Sequence, residues 1–166
     1  MQKEGQVRIP SGCAISAVIS REGRKMTGEA IVESMRPMHD RSNGLGGGFA
    51  GYGIYPEYRD LYAFHIFFQG KADKQACEAF LKEGFEICKA EPMPIRKIPE
   101  ITDVPLIYRY FAAPLQSVLS RLQLDEKEYV ALTVMRINRE IQGAYVFSSG
   151  KNMGVFKAVG FPEDVG

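Results

Sequence analysis

The sequence is poor in the residue types that often mark a functional class. Its 166 residues include no tryptophan, two histidines and three cysteines. The cysteines, Cys13, Cys77 and Cys88, are odd in number, and their spacing matches neither a zinc ligand set nor a disulfide framework. Each cysteine is therefore interpreted from its own surroundings.

An excess of charge and long hydrophobic runs are also missing. The 21 basic and 20 acidic side chains leave a net charge of +1, which provides no electrostatic footprint for nucleic acid or an anionic membrane. No apolar run approaches the roughly 20 residues that span a bilayer, and Met1–Pro10 is too polar for a secretory signal. We therefore expect a cytoplasmic protein that binds neither nucleic acid nor membranes.

The composition that remains is typical of a folded domain. Hydrophobic residues make up 45% of the chain and charged residues 25%. A chain of this length buries a core without needing disulfides or metal. Strand-like and helix-like patterns occur in blocks and do not strictly alternate, which favours an α+β architecture over a doubly wound parallel sheet.

Apolar periodicity predicts three helices and one short helical turn. The first helix covers Thr27–His39, and the second covers Asp73–Lys89, whose apolar stripe includes both later cysteines. We expect those two thiols to be packed and inert. Pro114–Leu122 forms the short turn, and Asp125 with Glu128 three residues later makes a capping box at the start of the third helix.

Runs of β-branched and aromatic residues predict the strands. One strand begins at Cys13 and reaches Ser20, and another covers Leu106–Ala112. Two further strands are expected to pair with each other, and the last two to form a hairpin. The paired strands are Phe49–Tyr55 with Leu61–Phe68, and the hairpin strands are Ala144–Ser148 with Met153–Val159.

Cys13 is the first candidate for chemistry. It opens a strand between Gly12 and Ala14, where a thiol is sterically accessible and would be a poor core filler. A thiolate is the reactive form of cysteine, and a base must take its proton. In a chain cut just before Cys13, its own α-amino group, with a pKa near 8, is such a base.

The histidines and the glycine-rich stretch have more modest interpretations. His65 lies within an apolar strand, where a histidine is more often a core residue with one hydrogen bond than a catalytic base. His39 lies beside the glycine-rich stretch and is the better candidate to border a pocket. That stretch, Gly44–Gly53, follows a helix and opens a strand, the reverse of a dinucleotide loop. It favours close approach of the backbone to a neighbour or a ligand.

Several segments together resemble glutamate-synthase-type class II glutamine amidotransferase domains. They are Pro10–Ser16, Met38–Tyr58 with its long glycine stretch, Val134–Asn138 and Val146–Phe156. The similarity extends over nearly the whole chain after Pro10, and the glycine stretch is its most specific element.

The resemblance implies a fold and a nucleophile. The fold is that of N-terminal-nucleophile hydrolases, four layers α-β-β-α with antiparallel sheets, incomplete in this chain. Cys13 is implied to be the catalytic residue and the first residue of the mature chain. Residues 1–12 are then a leader removed on maturation, and residues 13–166 are the N-terminal portion of the amidotransferase domain. Arg41 matches an arginine that lines the substrate-binding site.

The implied function is the glutaminase half of a glutamate-synthase-like system. Cys13 would hydrolyse glutamine to glutamate and ammonia for a synthase-type partner subunit or domain. Flavin and iron–sulfur centres are expected only in that partner, and neither cofactor nor metal in this chain; a homo-oligomer is compatible with the sequence. The chain ends at Gly166 before the family's carboxylate-binding and oxyanion segments. From these residues alone we therefore expect no measurable glutaminase activity.

Two other functions remain open. The chain could be a non-catalytic scaffold or binding fragment of a larger amidotransferase complex, with the same helices and sheets but no turnover. It could also belong to another N-terminal-nucleophile amidohydrolase that acts on a different amide. The three hypotheses differ in whether Cys13 reacts, and with which substrate.

Overall fold

The protein is described from a computed structural model that covers residues 14–41, 46–95 and 104–158. Within those ranges it is an α+β protein, as the sequence predicts. The chain divides into a terminal unit, Met1–Phe49 with Phe156–Gly166, and a central unit, Ala50–Val155. The described residues include no helix that is both long and apolar enough to cross a membrane.

The regular elements are numbered in chain order. The terminal part of the chain begins with one short helix, and the remaining elements follow the glycine-rich stretch. They are α1 (Glu29–Met35), β1 (Gly47–Tyr52), β2 (Tyr62–Phe68), α2 (Lys71–Lys82), β3 (Phe85–Pro92), β4 (Leu106–Pro114), α3 (Gln116–Leu122), α4 (Glu126–Glu140), β5 (Ala144–Lys151) and β6 (Met153–Ala158).

The central unit has the element order β-α-β-β-α-β, with α3 as a short addition before α4. Its four strands form one sheet in the order β3-β4-β2-β5, and every neighbouring pair is antiparallel. This is the split βαβ, or ferredoxin-like, arrangement, a name that refers only to the path of the chain. The order places the first and third strands of the unit in the middle of the sheet.

One face of this sheet carries the main hydrophobic core. β2 contributes Phe64, Ile66 and Phe68, all fully buried, because alternate residues of a strand point to the same face. The helices cover that face with apolar stripes, from which Leu81 of α2 and Ile137 of α4 are also fully buried. The strand side chains, with a period of 2, and the helix side chains, with a period of 3.6, therefore pack into a single core.

The ends of the central unit are held together. The backbone N–H of Gly53 donates to the carbonyl oxygen of Asn152 at 2.7 Å. The side-chain Oδ1 of Asn152 accepts from the N–H of Tyr55, also at 2.7 Å. Because chain segments of the terminal unit precede and follow the central unit in sequence, the central unit has the organisation of an inserted domain.

The predicted second helix is too long. α2 ends at Lys82, and the residues expected to complete it form β3 instead. Gly84 marks the change: its N–H donates to the carbonyl of Leu81, and a Cβ at this position would collide with the ring of Tyr129. The apolar residues after Gly84 belong to a strand. Their spacing in the sequence fits the alternation of a strand as well as the apolar stripe of a helix.

Both predicted strand pairings are wrong. β1 pairs with β6, and β2 pairs with β4 and β5. The segment between β1 and β2 contains the 3-10 turn Pro56–Tyr58, which is not a hairpin connection. β5 runs on to Lys151, and only Asn152, with a φ of 51°, separates it from β6. Long-range pairing, which short-range patterns do not encode, decides both outcomes.

The strand predicted from Cys13 to Ser20 is also absent where the structure describes it. Residues 14–20 have no regular secondary structure, and Ile15 and Ile19 are 94% and 84% exposed. A strand needs a hydrogen-bonded neighbour, and the described residues provide none for this segment. The alternation of apolar residues in this segment was therefore not sufficient to predict a strand.

The predicted helix starts are closer to the structure. The first helix is confirmed but shorter, since Pro37 lacks a backbone N–H and the chain continues as a 3-10 turn over Arg36–Arg41. The capping box is confirmed in full: the Asp125 carboxylate accepts from the Glu128 N–H at 2.8 Å, and the Glu128 carboxylate accepts from the Asp125 N–H at 3.2 Å. α3 is confirmed within the predicted range.

Candidate functional site

The two site residues predicted from the resemblance are not tested by the structure. Cys13 lies outside the described residues, and for Arg41 only the backbone is described, at the end of the 3-10 turn. His39, in the same turn, is exposed. Cys13 as nucleophile and Arg41 as substrate-binding residue therefore stay predictions.

The glycine-rich stretch brings two distant segments into close contact. At Gly48 in β1, an added Cβ would overlap the carbonyl oxygen of Phe156 in β6. Only glycine allows this approach, because every other residue carries the Cβ. The prediction that the glycines let the backbone pass close to a neighbour is confirmed at this position.

A second cluster of functional groups lies in the central unit, on the sheet face opposite the main core. His65 of β2 is fully buried, and its Nε2 is 2.7 Å from the hydroxyl oxygen of Tyr55. His65 lies opposite Arg109 on β4 and opposite Ser148 on β5. The prediction that His65 is a core histidine with a hydrogen-bonded partner is confirmed.

Arg109 connects this histidine to an ion pair at the edge of the sheet. Its guanidinium lies 4.8 Å from the ring centroid of Tyr55 and 5.3 Å from that of Phe111. The guanidinium also donates to the Glu91 carboxylate, with Nε 3.0 Å from Oε1 and a further contact from a terminal nitrogen. Lys89 holds the other oxygen of Glu91 at 3.0 Å. We call Tyr55, His65, Glu91 and Arg109 the His65 cluster.

The electrostatics of the cluster favour a neutral imidazole and an ionised carboxylate. Burial, followed by the positive charge of Arg109, lowers the pKa of His65 from 6.5 to about 4, while a hydrogen bond to the Ser148 backbone acts in the opposite direction. Hydrogen bonds from Arg109 and Lys89 lower the pKa of Glu91. At neutral pH the cluster is therefore a buried neutral histidine beneath a satisfied ion pair.

Segment Tyr55–Leu61 covers this cluster. Tyr58 stacks on Phe111 with ring centroids 4.1 Å apart, and Tyr55 packs edge-on against the same ring at 5.0 Å. Leu61 and Ala63 complete a small second core beneath the segment. In contrast, Glu57, Arg59 and Asp60 on the outer side of the segment are exposed.

The two later cysteines differ from each other. Cys77 lies in the core beneath α2, and burial raises the pKa of its thiol to about 12, so it is unreactive as predicted. Cys88 was predicted to be buried in the same helix, which is wrong. It is exposed on β3, where the register against β4 shifts between Ile87 and Lys89. The extra residue of such a bulge is left without a partner on the neighbouring strand.

Sequence reasoning missed the His65 cluster as a unit. Arg109 was the available indication, since a single arginine within the apolar run Leu106–Ala112 requires a partner. That partner, Glu91, is 18 residues away and lies on a strand that the sequence analysis assigned partly to a helix. In the part of the chain that the structure describes, no three histidine, cysteine or acidic residues are placed to hold a metal ion.

Comparison with known proteins adds a relative but no function. No protein-family model matches the chain. An uncharacterized protein of Archaeoglobus fulgidus is 46% identical over 155 residues, a match that covers 92% of this chain and 41% of that protein. The chain thus spans about two fifths of the length of this relative.

Proposed function

We propose that the chain is part of a glutamine amidotransferase domain of the glutamate-synthase type, with Cys13 as its nucleophile. The observation that carries the proposal is the resemblance of Pro10–Ser16, Met38–Tyr58 and Val146–Phe156 to that family. The proposal includes a cytoplasmic location, glutamine as substrate and a synthase-type partner that receives the ammonia. Any flavin or iron–sulfur centre is assigned to that partner.

The position of the resembling segments supports the proposal. Met38–Tyr58 contains β1, and Val146–Phe156 contains part of β6. These two strands are about a hundred residues apart in sequence, yet they are neighbours in one sheet, with Gly48 against the backbone of Phe156. The contact shows that parts of two resembling segments are neighbours in the fold; the functional inference itself rests on the resemblance.

The proposed layers are the α-β-β-α arrangement of N-terminal-nucleophile hydrolases. The proposal extends this arrangement over residues 13–166, because resembling segments also lie in the central unit, with Val134–Asn138 in α4 and part of Val146–Phe156 in β5.

The covalent and proton-transfer steps of the proposed reaction use Cys13 and its own amino group. The α-amine takes the thiol proton, and the thiolate attacks the amide carbon of the glutamine side chain. The carbon–nitrogen bond then breaks, and the amine returns the proton to the leaving ammonia. Water hydrolyses the glutamyl thioester, which yields glutamate and restores the thiol.

A labelling experiment on the protein purified from its native host tests this proposal. A glutamine-mimicking electrophile is expected to label Cys13 alone, with the amino terminus of the mature chain at Cys13 by intact mass. Iodoacetamide is the control reagent, since it needs no substrate site and should also label the exposed Cys88. Equal labelling of Cys13 by both reagents, not prevented by glutamine, would contradict a glutaminase site.

The second candidate is a scaffold or binding role without turnover. The favouring observation is that the polar groups of the central unit are used for packing: His65 bonds to Tyr55, and Glu91 pairs with Arg109. Ammonia release from glutamine separates the two candidates. In the protein purified from its native host, no ammonia release above background would favour the scaffold, and release that a Cys13→Ala variant loses while keeping its fold would favour the enzyme.

A further inference from the structure

The segment Tyr55–Leu61 is attached to the sheet through a small number of identifiable contacts. Its first residue donates its backbone N–H to Asn152 and places its hydroxyl on His65. Tyr58 packs on Phe111, and the Leu61 N–H closes the segment by donating to the Tyr58 carbonyl at 2.9 Å. Its outer side carries the exposed charged residues Glu57, Arg59 and Asp60.

The charges around His65 disfavour a proton on its ring. From β4, Arg109 lies opposite His65; from β3, Glu91 and Lys89 complete the charged groups; β5 contributes the uncharged Ser148, and the covering segment contributes Tyr55. Arg109 and Lys89 share the single carboxylate of Glu91, so this set has a net charge of +1. A proton on the buried ring would add a second positive charge beside it.

We propose that Tyr55–Leu61 is an acid-released strap, which opens locally from the sheet when His65 takes up a proton. Opening removes Tyr55 from the imidazole and admits water to the ring, so a protonated histidine is stabilised in the open state. The neutral ring favours the closed state. The ligand of this switch is therefore the proton, and the inference is independent of the proposed glutaminase activity.

The thermodynamic linkage between proton binding at His65 and opening of the strap determines the direction and size of the pH effect. The closed state holds its proton less tightly than the open state, where His65 returns toward its ordinary pKa of 6.5. The opening equilibrium is then constant above that pH and rises about tenfold for each pH unit below it. Between pH 6.5 and the closed-state pKa of about 4, the total rise is on the order of 10²-fold.

Hydrogen exchange of single amides on the 166-residue chain measures this opening. We expect the protection factor of the Tyr55 amide to fall about tenfold per pH unit between pH 6 and 5, after correction for intrinsic exchange. Amides in the middle of β2 and β4 should keep their protection. A parallel fall of the Tyr55 and central-strand amides would indicate global unfolding and would overturn the proposal.

Three variants sharpen the test. His65→Gln keeps a hydrogen-bonding side chain but cannot titrate in this range, so its Tyr55 protection should not depend on pH. His39→Gln, at the other and exposed histidine, should behave as wild type. Tyr55→Phe loses the hydroxyl bond and should open more at every pH while keeping the pH slope. A slope that persists in His65→Gln would overturn the proposal.

The wild-type protein gives an independent check should the His65→Gln variant fail to fold. The His65 imidazole resonances are expected to titrate below their ordinary pKa of 6.5, and the protection of the Tyr55 amide to fall progressively between that pH and the midpoint of the titration, since protonation favours opening. Titration of the ring with undiminished protection of the Tyr55 amide would overturn the proposal, because protonation would then not favour the open strap.

Discussion

The two faces of the four-stranded sheet are stabilised by different means. On one face, α2 and α4 cover a continuous apolar layer that includes Phe64, Ile66 and Phe68. On the other, a strap of seven residues covers a smaller core, and a charged group of Arg109, Glu91 and Lys89 lies beside it. The first face is stabilised by area removed from water, and the second by specific bonds.

The difference concerns dynamics as well as energy. Separation of the helices from their face would expose the main core, so it costs a large part of the total stability. Release of the strap exposes only Ala63, Phe111 and their neighbours. We therefore expect local opening to be confined to the second face, which is where a regulatory contact can act without loss of the fold.

The largest expected effect comes from truncation on the helix-covered face. Phe64→Ala should lower the free energy of unfolding by about 3–5 kcal/mol, because the residue is fully buried and leaves a cavity. Phe67→Ala is the matched control on the opposite face, half-buried and stacked on Phe147 at 4.3 Å. It should cost about 1–2 kcal/mol. Urea titration with unchanged m-values measures both, and equal losses would remove the distinction between the faces.

The next effect tests the close approach beneath the helices. Gly84→Ala should cost about 1–3 kcal/mol, since its Cβ would enter the space of the Tyr129 ring. Tyr129→Phe removes the hydroxyl that would be struck first. In that background the added cost of Gly84→Ala should be smaller, by a coupling measurable in a double-mutant cycle. Strictly additive losses would argue against the contact.

The cysteines allow a comparison of a buried and an exposed thiol. Cys77→Ser should cost about 1–3 kcal/mol, because it buries a hydroxyl in the core beneath α2. Cys88→Ser should change stability by less than about 0.5 kcal/mol, since Cys88 is exposed on β3. Thermal unfolding of both variants gives the comparison. A similar loss for both would indicate that Cys88 is packed.

Local sequence patterns were enough for several elements of the helix-covered face. The capping box of α4, the strand Leu61–Phe68 and the α+β class all follow from short-range spacing, and each is found in the structure. Where local patterns failed, a distant residue decided the result. Gly84 ends α2 against Tyr129 of α4, and the partner of β1 is β6 at the other end of the described chain.

Local patterns did not predict which groups lie together on the polar face, because that arrangement depends almost entirely on contacts between residues that are distant in the sequence. His65, Arg109 and Ser148 belong to three strands, and only the register of β4 and β5 against β2 brings them together. A sequence pattern predicts that His65 is buried, but not which groups lie beside it. The candidate site of the resemblance has a different status, since Cys13 lies outside the described residues and its role stays a prediction.

The smallest expected effect concerns the ion pair on the polar face. Glu91→Gln should cost at most about 1 kcal/mol at pH 7, because the pair is partly solvated and Gln still accepts a hydrogen bond from Arg109. Glu86→Gln is the matched control, an exposed glutamate on the same strand. It should be neutral within the error of a urea titration.

The pH dependence of this variant separates Glu91 from His65. A carboxyl whose folded-state pKa is lowered contributes stability that is present above its unfolded pKa of 4.5 and is lost as the pH falls through the folded value. Glu91→Gln should therefore lose less stability than wild type below pH 4.5. Between pH 6.5 and 4.5 wild type and Glu91→Gln should lose the same amount of stability, because His65 is the group that titrates in this range. Since the folded state lowers the pKa of His65, acid destabilises the closed state. If Glu91→Gln removed the loss in the upper window, the titrating group there would be the ion pair and not the histidine.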